Sequence, residues 1–136
     1  MRVALDTNIL VSGLLWRGTP YRCLLAVRAG LAELVLSPPI LQELRTVLIE
    51  KLGQRPPEAD EAVALIRAMA QMVEIPGSLR IVLEDPEDDK FVETASVAQA
   101  DCIVSGDHHL IDLGVDAGIP IITARMFLAR LGGGAA

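Results

Sequence analysis

The sequence predicts a three-layer α/β/α sandwich around a mainly parallel sheet, and three observations lead there. Short apolar runs recur at Val3–Leu5, Leu34–Ser37, Cys102–Ser105 and Pro120–Thr123. They lack the alternation of half-exposed strands, which is how strands buried on both faces read. Longer stretches with apolar residues at helical spacing separate them. Hydrophobic residues make up 51% of the chain and aromatics only 3%, so the core is built from Leu, Val, Ile and Ala, the composition of parallel strands covered by helices. A chain of 136 residues suits one such domain, because a chain of about 150 residues removes roughly 70% of its unfolded surface from water. We expect that domain over residues 1–131, with 132–136 as a flexible tail.

Val3-Ala4-Leu5 is followed at once by the polar Asp6-Thr7-Asn8, so Asp6 stands at the carboxyl end of a buried strand, where open α/β sheets place their ligand crevices. Taken alone, Asp6 or Thr7 reads more readily as the cap of a helix through Ile9, Leu10, Leu14 and Leu15. Trp16–Pro20 is a turn that restarts a helix, with Thr19 as cap, Pro20 in the first position, a stripe of Leu24, Leu25 and Val27, and Gly30 as the stop. Ser37-Pro38-Pro39 then opens a helix to about Leu52. After the turn at Gly53–Pro57, Glu58 to about Val73 reads as a helix with Ala62, Leu65, Ile66 and Met69 on its apolar face. Ile81-Val82-Leu83 is a short extended segment ahead of the most acidic run, Glu84 to Asp89, and a helix is expected from about Glu87 to Ala100. Gly106-Asp107 closes the third strand before a short helix from His108 to Leu113, and Thr123 starts a last helix through Met126, Phe127 and Leu131.

Lys plus Arg is 12 and Asp plus Glu is 18, a formal charge of −6, which argues against non-specific attraction of nucleic acid to a basic surface. It does not exclude such a substrate, because acids that converge on divalent cations partly reverse the local field. Cys23 and Cys102 lie among apolar neighbours without metal spacing and read as core thiols of a reducing compartment. No segment follows the plan of a signal peptide, and no apolar run approaches the roughly 18 residues of a membrane span. A cytoplasmic protein is expected.

Four carboxylates occupy positions that are awkward without a task. Asp6 and Asp107 each follow a buried strand, so both project from one edge of a parallel sheet. Glu43 shares a helix face with Ile40 and Val47. Helical counting puts Asp88 with Phe91, Val92 and Ala95, and Asp89 with Glu93 and Ser96 on the solvent side. Asp88 is therefore the site candidate, and Asp89 a solvated acid near a helix N-terminus. Singly, each acid has a bland reading as rim residue, dipole partner or cap. Jointly they favour one site, in which repulsion between neighbouring carboxylates is relieved by a hard cation such as Mg²⁺ or Mn²⁺. His108 and His109 follow Asp107 directly and read as partly exposed residues.

Val-Ala-Leu-Asp6-Thr7-Asn8, the Ser37-Pro38 helix bearing Glu43, the Asp85-Pro86-Glu87-Asp88 helix entry and Ile103-Val104-Ser105-Gly106-Asp107 together resemble a PIN-domain nuclease of the kind found as the toxin half of bacterial toxin-antitoxin pairs. The motifs are individually weak, but they stand in family order along nearly the whole chain. The resemblance implies a metal-dependent endoribonuclease with Asp6, Glu43, Asp88 and Asp107 as its acids and metal ligands, Asn8 or Ser105 positioning a carboxylate or water, an RNA substrate, a separate antitoxin chain as partner, and homo-oligomerisation. Hydrolysis would use metal-activated water, with a second cation, where present, about 4 Å away. No Ser-His-Asp or Cys-His arrangement is legible for a covalent route, and no glycine-rich phosphate loop precedes a helix. Two other readings stand beside it. One is a phosphatase-like hydrolase with Asp6 as nucleophile, weakened by Asn8 where a second acid is usual. The other is an inactive PIN-like binding module, against which the presence of all four acids speaks.

Overall fold

A computed structural model of the chain describes residues 1–76, 89–106 and 118–132. The segment Ile81–Leu83, the acids Asp85, Asp88 and Asp107, the residues His108–Leu113 and the tail beyond Gly132 lie outside the described residues. In chain order the elements are β1 (Arg2–Leu5), α1 (Thr7–Leu15), α2 (Thr19–Arg28), β2 (Glu33–Leu36), α3 (Pro38–Thr46), α4 (Pro56–Met69), β3 (Ala70–Met72), α5 (Asp89–Ala98), β4 (Cys102–Val104), β5 (Ile121–Ile122) and α6 (Ala124–Gly132). One π-helical turn, Val47–Lys51, extends α3, its Leu52 N–H reaching back five residues to the Val47 carbonyl.

The five strands form one sheet in the order β3-β2-β1-β4-β5, and every pairing is parallel. Right-handed crossovers fix the layers. Successive moves from β1 to β2 to β3 put α1 to α4 on one face, and the return to β4 puts α5 on the other. The packing agrees, since α1 contacts α2 and α3, α3 contacts α4, α6 contacts α2, and α5 lies against β1, β2 and β4. The three inner strands are buried on both faces, with Val3, Ala4, Leu5, Leu34, Val35, Leu36, Cys102, Ile103 and Val104 without exposure. Their lack of alternation is the consequence of helices on each side. Phe91 of α5 and Phe127 of α6 are the largest buried side chains, each worth roughly 1.5–3 kcal/mol by removal of apolar area from water. Among the described residues no helix is long and apolar enough to cross a membrane.

Several local expectations are corrected. The helix read to Val73 ends at Met69, and Ala70–Met72 is instead the edge strand β3. Periodicity does not mark that change, because pairing with Leu34–Leu36 is a tertiary reward that overrides helix propensity. Thr19 is the first residue of α2 and not its cap, which is Gly18. Ser37 stands at the start of α3 without capping it; its hydroxyl is used elsewhere, as described below. Leu25, Leu65 and Met126, expected on apolar stripes, are exposed. Leu25 and Leu65 line a cavity of about 390 Å³ between α1, α2 and α4 together with Leu14, Tyr21, Leu24 and Met69. The cysteines are free and buried, and burial pushes both thiols up to about 11.

Geometry requires glycine at Gly13 and at Gly30. At Gly13 a Cβ would come within 2.6 Å of the Leu24 side chain and 3.1 Å of the Pro20 carbonyl oxygen, so its absence lets α1 approach α2. Gly30 ends α2 at φ +82°. Its N–H donates to the Val27 carbonyl and the Leu31 N–H to the Ala26 carbonyl, the paired bonds of a Schellman stop. Gly30→Ala puts a Cβ in the left-handed region and should lower the unfolding free energy by about 1 kcal/mol. Urea denaturation checks this through a lower midpoint at unchanged slope.

Candidate active site

The sheet order places the site. From β1 the chain moves one way to β2 and later returns on the other side to β4, so the order reverses between β1 and β4, the position at which parallel sheets open a crevice at their carboxyl edge. Asp6 follows β1 and Ser105 follows β4. The Asp6 N–H donates to the Val104 carbonyl at 3.0 Å, holding the two strand ends together. The Ser105 hydroxyl donates to Asp6 Oδ2 at 2.5 Å, in the range of a charge-assisted bond to carboxylate. Asp6 Oδ1 accepts the Ile9 N–H at 2.8 Å, which makes Asp6 the N-cap of α1. Cap and site are thus not alternatives, since each carboxylate oxygen serves a different element. Asp6 is only 3% exposed, and its backbone is tied to both strands.

The next residue carries the link outward. Thr7, the first residue of α1 and buried, donates its hydroxyl to Glu43 Oε1. Glu43 sits on α3 at the rim, its side chain 28% exposed, and its Oε2 accepts from Lys90 Nζ at 2.8 Å. Lys90 lies in the first turn of α5 with its ammonium 5.0 Å from the centre of the Phe91 ring, within cation–π range. The α3–α5 contact is braced by hydroxyls. Thr94 Oγ1 donates to the Lys90 carbonyl at 2.6 Å, and since a threonine has one hydroxyl proton, Ser37 is the donor in the buried 2.7 Å contact between Ser37 Oγ and Thr94 Oγ1. A continuous set of contacts therefore joins the β4 end, the α1 start, α3 and the α5 start.

Of the four acids picked from sequence, Asp6 and Glu43 meet here through Thr7, with Ser105 on Asp6. Asn8 is exposed at the first turn of α1. Asp88 and Asp107 lie outside the described residues. The reading of Asp89 as a solvated acid is corrected: Asp89 is 3% and Glu93 6% exposed. The sheet covers one side of α5, and α3 packs against another. Helical phase assumed one buried face, whereas only Ser96 and Val97 of this helix are exposed. Burial therefore no longer separates Asp89 from Asp88.

Among the described residues no three His, Cys, Asp or Glu side chains form a group that could hold a metal ion. The donors present are nevertheless carboxylate and hydroxyl oxygens, the chemistry of hard divalent cations rather than zinc or copper. They fit a hard divalent cation. Lys90 escaped the sequence reading, although one signal was available: it is the one basic residue between Ile81 and Asp101, set inside the most acidic run.

A family model described as PIN domain matches residues 2–109, well over half of the chain. Among solved structures, the fold is similar to a chain in the crystal structure of VapBC2 from Rickettsia felis bound to a DNA fragment from their promoter. The two share 14% sequence identity and a TM-score of 0.63, with 89% of this chain and 97% of that chain covered. At that identity the likeness is one of fold. No curated protein sequence matches.

The Ser105–Asp6 bond is testable without any substrate. Ser105→Ala withdraws a donor from a buried carboxylate and should cost about 1–3 kcal/mol of unfolding free energy. Urea denaturation in EDTA measures it, and a loss below a few tenths would show that the bond does not hold Asp6.

Proposed function

The chain belongs to the PIN-domain family, a family of nucleases, and on that premise we propose that it is a divalent-metal-dependent endoribonuclease, the toxin of a toxin-antitoxin pair. The observation that carries this reading is the junction of Asp6 and Glu43 through Thr7 at the point where the sheet order reverses. Asp88 and Asp107 complete the set of acids in this proposal; they adjoin in sequence Asp89, at the start of α5, and Gly106, just beyond β4.

Asp6, Glu43, Asp88 and Asp107 would hold Mg²⁺ or Mn²⁺. Bound there, the cation supplies Lewis acidity toward water and phosphodiester. The rest is done by the chain. The strand ends and the α1 cap hold Asp6 in one orientation, Ser105 fixes its second oxygen, and Thr7 fixes Glu43. Asn8, exposed two residues after Asp6, would orient water or a phosphate oxygen in this reading. These fixed oxygens cost no reorganisation when RNA arrives, which is the value of a preorganised site. A phosphatase-like role for Asp6 as nucleophile fits less well, because Asn8 stands where a second acid is usual.

We extend the proposal to partners. A neighbour in fold is VapBC2 with promoter DNA, which supports an antitoxin as a second chain, and the apolar composition supports self-association; a cytoplasmic location is part of this reading.

Purified protein should cleave single-stranded RNA with Mg²⁺ or Mn²⁺ and stop in EDTA, and Asp6→Asn and Glu43→Gln should each lower the rate by orders of magnitude. Mn²⁺ should raise the melting temperature of the original chain more than that of Asp6→Asn, because only a ligand that binds the folded state stabilises it. Undiminished cleavage in chelator by nuclease-free protein, or an identical Mn²⁺ response in the two proteins, would overturn the proposal.

A further inference from the structure

We propose that Lys90 is the second cation of this site. Its ammonium, fixed on Glu43, takes the place and charge that a second divalent ion would take, so the centre binds one Mg²⁺ or Mn²⁺ rather than two. The inference rests on the metal-nuclease reading above and assigns a role to a residue outside the acid set.

Three observations carry it. First, the Lys90 ammonium is in direct contact with Glu43 Oε2 at 2.8 Å, and its side chain is only 15% exposed, so solvent screens this charge far less than one on the open surface. Second, the position is built rather than incidental. The Phe91 ring lies beside the ammonium, and the Lys90 carbonyl is held by Thr94, itself held by Ser37 at the start of α3. Both ends of the residue are thereby anchored to the helix that carries Glu43. Third, the other oxygen of Glu43 accepts from Thr7. A divalent ion reaching Glu43 through Oε2 must share that oxygen with the ammonium or expel it, against the repulsion between a fixed positive charge and a doubly charged ion at short range.

That leaves Asp6 and Glu43 Oε1 for a single divalent ion. A lysine suits the task chemically. An ammonium is a compact point charge with three donors, so it can keep Glu43 and still offer an N–H to a phosphate oxygen of the substrate. It adds positive charge in the one stretch from Ile81 to Asp101 where the chain otherwise supplies only acids.

Mn²⁺ titration calorimetry with equilibrium dialysis on the full chain tests this, comparing the original protein with Lys90→Met and Lys90→Arg. One ion is expected in the original chain and in Lys90→Arg, which keeps the charge. Two are expected in Lys90→Met, which keeps the stem and loses the charge, and its RNA cleavage should then require higher Mn²⁺. A purely structural lysine would not change the number of ions bound. Lys90→Gln serves as a second charge-free variant where Lys90→Met does not fold. Two ions in the original chain would overturn the inference, as would one ion in Lys90→Met with unchanged affinity, and both leave the nuclease reading standing. Absence of binding in every protein would overturn that reading and this inference together.

Discussion

The hydrogen bond from the Ser105 hydroxyl to Asp6 spans the two strands between which the sheet reverses its order, and the other contacts of the site are set relative to it. Parallel strands all present their carboxyl ends at one edge, so residues just beyond β1 and β4 are neighbours although 99 positions separate them in sequence. Asp6 converts that neighbourhood into a direction. One oxygen caps α1, which fixes where the helix starts, and the helix start places Thr7 under Glu43. A small change in register between β1 and β4 would move the cap, the threonine and the glutamate together.

Much of this was readable because buried parallel strands announce themselves. Val3–Leu5 carries no alternation and stops at a polar residue, and that pattern alone put Asp6 at a sheet edge, whereas a site role for Ser105, read as the end of the third apolar strand, came only from the family resemblance. Glu43 was readable for a related reason, since Ile40 and Val47 on its face oblige a charged side chain to reach the rim. What failed was the inference that Asp89 and Glu93 lie on a wet side of α5. Asp89 and Glu93 are buried because α5 is covered by β1, β2 and β4 and also meets α3, an arrangement that follows from topology and not from helical period. The edge strand β3 was missed on similar grounds: Ala70–Met72 has no strand signature of its own and is extended because β2 offers it a ladder. Lys90 was missed because an ion pair across 47 residues leaves no local trace beyond a lone base in an acidic run.

Burial of carboxylates at the edge of the sheet has to be offset where it occurs. A buried carboxylate is tolerated when donors surround its charged form, and Asp6 has two from its own fold, one backbone N–H and one hydroxyl. Glu43 solves the same problem with a hydroxyl and an ammonium.

The net charge of −6 is compatible with the proposed RNA substrate. A protein that gripped a polyanion with its whole surface would need a basic face, and affinity would rise with each phosphate neutralised. The candidate site supplies positive charge of its own. The N-terminus of α1 contributes the positive end of a helix dipole beside Asp6, Lys90 contributes a full charge on Glu43, and a hard divalent cation on these oxygens would be the largest local charge of all. The acidic composition therefore does not count against the proposed substrate.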